Sequence, residues 1–218
     1  EGWGFQDVLF GGNELTLGRP LGSYVMENVL FKVSFPAEFH AQTAVEAAVQ
    51  LHPHVVDRLD EIVRIEIETQ EAGARIIDKT GPLANPADRD HCIQYMVAVP
   101  LVKGDLTAED YEEAAASDPR IDTLRTKMIV RENETFTKDY FDPEKRAIPN
   151  AVRVCFAGGS ATDRVEVGYP IGHRRRREEA FPLLREKYTK VLKTNLSSGQ
   201  TARLAESCEE QSRFEVMA

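Results

Sequence analysis

The segment Thr80–Lys103, TGPLANPADRDHCIQYMVAVPLVK, leaves this chain few ways to fold. Asn85 is suited to cap a helix, Pro86 fits its first turn, and Asp88 and Asp90 lie near the positive end of its dipole. The spacing predicts one helix over Pro86–Lys103, stopped by Gly104. Met96, Val97, Val99 and Leu101 give it a core face, so other elements must gather around it. Residues four apart share a helix face, which sets His91 beside Tyr95 as two proton-active groups. They read either as a functional pair or as polar groups satisfied within the core.

What gathers around that helix reads as a mixture of helices and short strands. Residues 1–30 are Gly-rich and apolar without a period, giving loops and a short helix. Phe39–Leu51 is helical, with Phe39, Ala44, Ala47, Ala48 and Leu51 on its apolar side. In Glu61–Thr69, Val63, Ile65 and Ile67 alternate with Arg64, Glu66 and Glu68, the pattern of a strand with one buried face. Thr107–Ala116 is a short acidic helix capped by Thr107, and Asp118-Pro119 opens another that carries Ile121, Leu124 and Met128. Glu132–Pro149 is polar and Pro-containing and reads as a loop. Val152, Val154 and Phe156 alternate into Gly158-Gly159, and Val165 and Val167 alternate out of it, as in a hairpin. Arg177–Lys193 is helical, and Gln200–Phe214 is a weaker amphipathic helix or a loosely held tail. Strands and helices do not alternate regularly, so the expected fold is α+β, with a small, mainly antiparallel sheet packed with helices.

Composition excludes several classes of function. A net charge of -9 argues against a nucleic-acid or anionic-membrane surface, and no apolar run approaches the roughly 20 residues of a membrane span. Cys92, Cys155 and Cys208 are far apart, with no CxxC pair. That pattern disfavours a disulfide framework or iron–sulfur and zinc ligation through cysteine, and it suits a reducing compartment. The chain opens at Glu1-Gly2-Trp3-Gly4-Phe5, with neither an initiator Met nor a targeting segment, and reads as a piece of something longer.

Other candidate groups each admit two readings. Lys32 sits in the apolar run VLFKVSFPAEFH, either as a snorkelling residue or as an ammonium held to clamp a carboxylate or move a proton. His40, at the start of the next helix, reads as a local cap or a site residue. His52 and His54 flank Pro53 with no third ligand nearby, so no metal site is predicted. His173 precedes four arginines, Arg174 to Arg177; acidic residues follow, so they read as a solvated helix start or a contact surface between domains rather than a phosphate site. Gly158-Gly159 is a turn, with no phosphate-loop or dinucleotide fingerprint.

Four segments, VLFKVSFPAEFHAQTAVEAA, KTGPLANPADRDHCIQYMVAVPL, YFDPEKRAIPNAV and YPIGHRRRRE, closely resemble the MmgE/PrpD family. They occur in the family's order, and the similarity runs through nearly the whole chain. The ValSerPheProAlaGlu that follows Lys32 is similar to the dehydratase branch rather than to the cis-aconitate decarboxylases, which read closer to Tyr-Pro-Cys there. The resemblance implies a large all-helical domain and a smaller α+β lid, with the site in the cleft between them. On that pattern residues 1–26 end a helical-domain segment, 27–172 form the lid, and 173–218 return to a helical domain that is mostly missing. It further implies a cofactor-free lyase, with no metal, that dehydrates 2-methylcitrate, a tricarboxylate, and that works as a homodimer. The setting would be bacterial cytoplasm or mitochondrial matrix. Lys32 and Tyr95 fall on the lid's pocket positions, with His91 and His40 as supporting candidates for substrate binding. The remaining Asp, His and Lys of the family pocket would lie upstream of Glu1, so this piece alone would be inactive. A cis-aconitate decarboxylase of the same family, or a non-catalytic dimerisation or binding fragment, is the alternative.

Overall fold

The computed structural model describes residues 2–16 and 28–209. In chain order the helices and strands are α1 (Phe5–Phe10), α2 (Gln42–Val55), β1 (Ile62–Thr69), α3 (Glu71–Ile76), α4 (Pro86–Asp90), α5 (Ile93–Lys103), α6 (Glu113–Ala116), α7 (Pro119–Arg125), β2 (Met128–Glu132), α8 (Glu134–Phe141), β3 (Asn150–Phe156), β4 (Val165–Val167), α9 (Arg177–Lys193) and α10 (Ser198–Glu209). Single 3₁₀ turns precede α2 at Phe39–Ala41 and α9 at Arg174–Arg176. The fold is α+β, as the pattern predicts.

β1 is the centre of a four-stranded sheet in the order β2-β1-β3-β4. It pairs parallel with β2 and antiparallel with β3, and β3 pairs antiparallel with β4. The alternation in β1 holds from Ile65 onward, where Ile65, Ile67 and Thr69 are buried. It fails at Val63, which is 56% exposed, because the register with β3 shifts between Ile62 and Arg64 and turns Ile62 inward instead. The hairpin is present: Val152 stands opposite Val165, and Gly158 and Gly159 turn the connection at φ of +85° and +88°.

α2 and α5 pack on each other, and α2 lies over β3 and β4. α5 is buried along its length from Ile93 to Val102, so it is the core of the fold rather than a helix with one wet face. His52 of α2 ties the pair together through Nδ1, 3.0 Å from the carbonyl of Leu101.

Three expected elements are corrected. The predicted helix over Pro86–Lys103 is two helices, with His91 closing the first and Cys92 in extended conformation (φ -130°, ψ 105°) opening the second. The break lets the segment before it dock across the gap: Ile93 N–H donates to Ile77 O at 2.9 Å and the Cys92 thiol donates to Lys79 O at 3.2 Å. Met128 does not continue α7; it starts β2, whose Lys127 and Met128 region is captured by β1. The stretch 132–149 contains α8, whose start is fixed by Asn133 accepting from the amides of Thr135 and Phe136. Residues 17–27 and 210–214, within the expected first segment and last helix, lie outside the described residues.

Candidate active site

The candidate residues occupy three different settings. Lys32 lies in the irregular segment 29–35 and is exposed; its ammonium has no partner among the described residues. Its backbone carbonyl, by contrast, accepts from Lys187 Nζ at 2.7 Å.

His40 is buried at the 3₁₀ turn that leads into α2. Glu38 accepts its backbone N–H at 2.7 Å and lies 3.0 Å from its Nδ1. With Nδ1 donating to that carboxylate, Nε2 is left to accept from the Tyr140 hydroxyl at 3.3 Å. Burial works against the charged form of Glu38. The hydrogen bonds and charge of His40 outweigh it, with a smaller effect from His91, and hold the carboxyl below its usual range. Asn150, buried at the start of β3, donates to the His40 carbonyl at 2.7 Å and to Thr43 Oγ1 at 2.7 Å, fixing the turn to the sheet. The result is a carboxylate–imidazole–phenol chain able to orient one ring nitrogen and pass a proton along its length.

His91 and Tyr95 do not share a face. The break at Cys92 leaves His91 on the outside, its side chain 56% exposed and its Nδ1 3.1 Å from Ala87 O. Tyr95 is 2% exposed in the core, stacked on Tyr111 at 6.0 Å between ring centroids. Its hydroxyl donates to the Asp110 carbonyl at 2.5 Å, and burial pushes its phenol up to about 12. At neutral pH this group is a donor and never a base. The four residues make no direct hydrogen bond with one another among the described residues.

Sequence reading passed over Glu38 and Tyr140. Glu38 had a signal, a carboxylate two residues before a histidine at a helix start, where it caps the turn. Tyr140 had none, being 100 positions from His40 on a helix read as loop.

The four arginines are not a solvated run. Arg174 and Arg175 both donate to Glu144 O, Arg176 pairs with Glu46 at 2.9 Å and with Glu179 at 2.7 Å, and Arg177 donates to Val29 O at 2.5 Å. Each guanidinium fastens one stretch of chain to another.

The family profile described as the MmgE/PrpD C-terminal domain matches residues 35–211. The chain belongs to the MmgE/PrpD family. Relatives within it align over nearly all of this chain. The 2-methylcitrate dehydratase of Cupriavidus necator is 54% identical over 218 residues, which are 99% of this chain and 45% of that protein. The mitochondrial 2-methylcitrate dehydratase of Yarrowia lipolytica is 57% identical over 205 residues, 93% of this chain and 39% of its own length. That of Escherichia coli K12 is 53% identical over 218 residues, again 45% of its length. This chain therefore spans less than half the length of the MmgE/PrpD proteins it matches.

Proposed function

We propose that this chain is the lid-bearing C-terminal part of a cofactor-independent hydro-lyase that dehydrates 2-methylcitrate to 2-methyl-cis-aconitate, a step of propionate breakdown in the methylcitrate cycle. Residues 27–172 would form the lid and 173–218 the return to a helical domain. The reading is carried by the 54% identity, across the whole 218 residues, to a protein named for that reaction.

The chemistry asks for groups of the kinds found here. Removing a proton beside a carboxylate builds negative charge, and the departing hydroxide needs a proton. The Lys32 ammonium binds a substrate carboxylate and stabilises the developing charge. Tyr95, kept protonated by burial, donates a hydrogen bond or a proton once its hydroxyl exchanges the Asp110 carbonyl for substrate oxygen. His40, oriented by Glu38, and the exposed His91 support the substrate's remaining carboxylates. The general base comes from the rest of the protein. The working unit is a homodimer in a reducing compartment, bacterial cytoplasm or mitochondrial matrix; no helix among the described residues is long and apolar enough to cross a membrane.

The test is made on the full-length protein, following 2-methyl-cis-aconitate by the absorbance of its new conjugated double bond. Lys32→Ala and Tyr95→Phe are each expected to lower turnover about ten-fold or more. Wild-type turnover in both would refute the site. Itaconate and carbon dioxide from cis-aconitate would instead assign the protein to the decarboxylases.

A further inference from the structure

The segment that carries Lys32 is held by the far end of the chain. Phe31 N–H donates to Gly172 O at 3.1 Å. Gly172 has φ +99°, and a Cβ there would lie 1.9 Å from Phe31 O, so only glycine lets the two backbones meet this closely. Arg177 lays its guanidinium 3.9 Å from the centroid of the Phe31 ring and donates to Val29 O. Phe181, one turn further along α9, also packs against Phe31, with ring centroids 6.5 Å apart. Lys187 then takes the carbonyl of Lys32 itself at 2.7 Å.

Residues 29–35 belong to no helix or strand, and the Lys32 side chain has no partner of its own among the described residues. A lysine stem carries about 2 kcal/mol of rotamer entropy and does not place its own charge. The position of its backbone therefore decides where the ammonium is available. Here the backbone is fixed at the Val29 and Lys32 carbonyls by two cations and at the Phe31 amide by the Gly172 carbonyl, about 140 to 155 positions away.

We propose that Gly172, Arg177 and Lys187 are positioning residues for Lys32: a clasp from the turn before α9 and from α9 itself that sets where its ammonium meets a substrate carboxylate. This rests on the role proposed for Lys32. A shift of about 1 Å in a reacting group can cost on the order of a hundred-fold, so loosening the clasp should reach the chemistry without unfolding the protein.

The experiment uses the full-length enzyme and 2-methylcitrate. The pair Arg177→Leu with Lys187→Met is expected to lower kcat/KM about ten-fold, and Gly172→Ala at least as much, because its Cβ must push Phe31 away. Lys187→Arg, which keeps the donor, should restore wild-type kcat/KM in an otherwise intact clasp. In a Lys32→Ala background the Arg177→Leu, Lys187→Met pair should add less than about two-fold, since the residue it places is gone. Wild-type kcat/KM in the clasp pair, or the same ten-fold loss with and without Lys32, would overturn the clasp while leaving the site standing. Full turnover in Lys32→Ala alone would overturn both.

Discussion

Tyr95 packs in the core and carries a proposed role in the chemistry, and the two can be separated. Its hydroxyl satisfies the buried Asp110 carbonyl, so Tyr95→Phe leaves that oxygen without a donor, at about 1–3 kcal/mol. Stability measured by denaturant unfolding should fall by that amount, whereas loss of turnover beyond the folded fraction reports the phenol's part in the reaction. His173 makes a second prediction, in pH. The ring is buried against Tyr169 with centroids 4.7 Å apart, and its Nδ1 accepts the amide of Arg175, a bond that only the neutral ring can make. Burial, joined by the charges of Arg174, Arg175 and Arg177, lowers it from 6.5 to about 4, against a smaller opposing hydrogen bond. The unfolded chain binds a proton below 6.5 that the folded chain refuses until about 4. Stability is thus intact above 6.5 and lost on acidification toward 4, at up to about 1.4 kcal/mol per pH unit. His173→Asn, which keeps a capping acceptor without a titrating ring, should flatten that part of a melting-temperature profile against pH. An unchanged slope would place the acid sensitivity elsewhere.

Elements were legible in the sequence where a pattern had one cause. Ile65–Thr69 alternates because one face of β1 is buried there, and Arg177–Lys193 is periodic because α9 is an uninterrupted helix. The misread elements all have boundaries set by distant chain. Nothing local marks Cys92 as a break; the break exists because Ile77 and Lys79 dock there. β2 looks like the tail of α7 until β1 supplies a parallel partner. The candidate site was legible only in part for the same reason: Lys32 and Tyr95 are expectations from the family pattern, while Glu38 and Tyr140 acquire meaning only when the fold brings them to His40. α8 offers the sharpest test of a tertiary boundary. Asn133 caps it, and through Nδ2 holds Glu68 of β1 at 2.6 Å, while its own amide donates to Thr69 O at 2.8 Å. Asn133→Ala should cost about 1–2 kcal/mol, a fall of roughly 2–8 °C in melting temperature for a chain of this size. Asn133→Asp keeps the cap acceptor but sets a second carboxylate against Glu68, and it should recover only part of the loss. Full recovery would mean that the tie to β1 contributes nothing.

The chain as a whole divides its apolar surface unevenly. Around α2, α5 and the sheet the aliphatic side chains are buried almost completely, Ile65, Leu101 and Val152 among them. Along the last two helices they are not: Phe181 is 53% exposed, Val191 58% and Leu204 43%. Phe181, Pro182, Leu184, Tyr188, Ala205 and Cys208 line an apolar groove of about 930 Å³ between α9 and α10. Phe181, Leu184, Tyr188 and Val191 recur at helical spacing along α9, and contiguous apolar patches beyond a few hundred Å² are uncommon on monomers. At about 25 cal/mol per Å², covering even part of such a patch outweighs a few exposed ion pairs, so a net charge of -9 alone should not keep copies apart. The 218-residue chain in isolation is therefore expected to bind a hydrophobic dye and to self-associate with rising concentration. Leu184→Glu with Val191→Lys, both at exposed positions, should suppress dye binding and association together while moving the melting temperature little. Sedimentation velocity over a concentration series, alongside dye fluorescence, reads both. A parent chain that stays monomeric and dark would show that α9 and α10 already satisfy one another in solution.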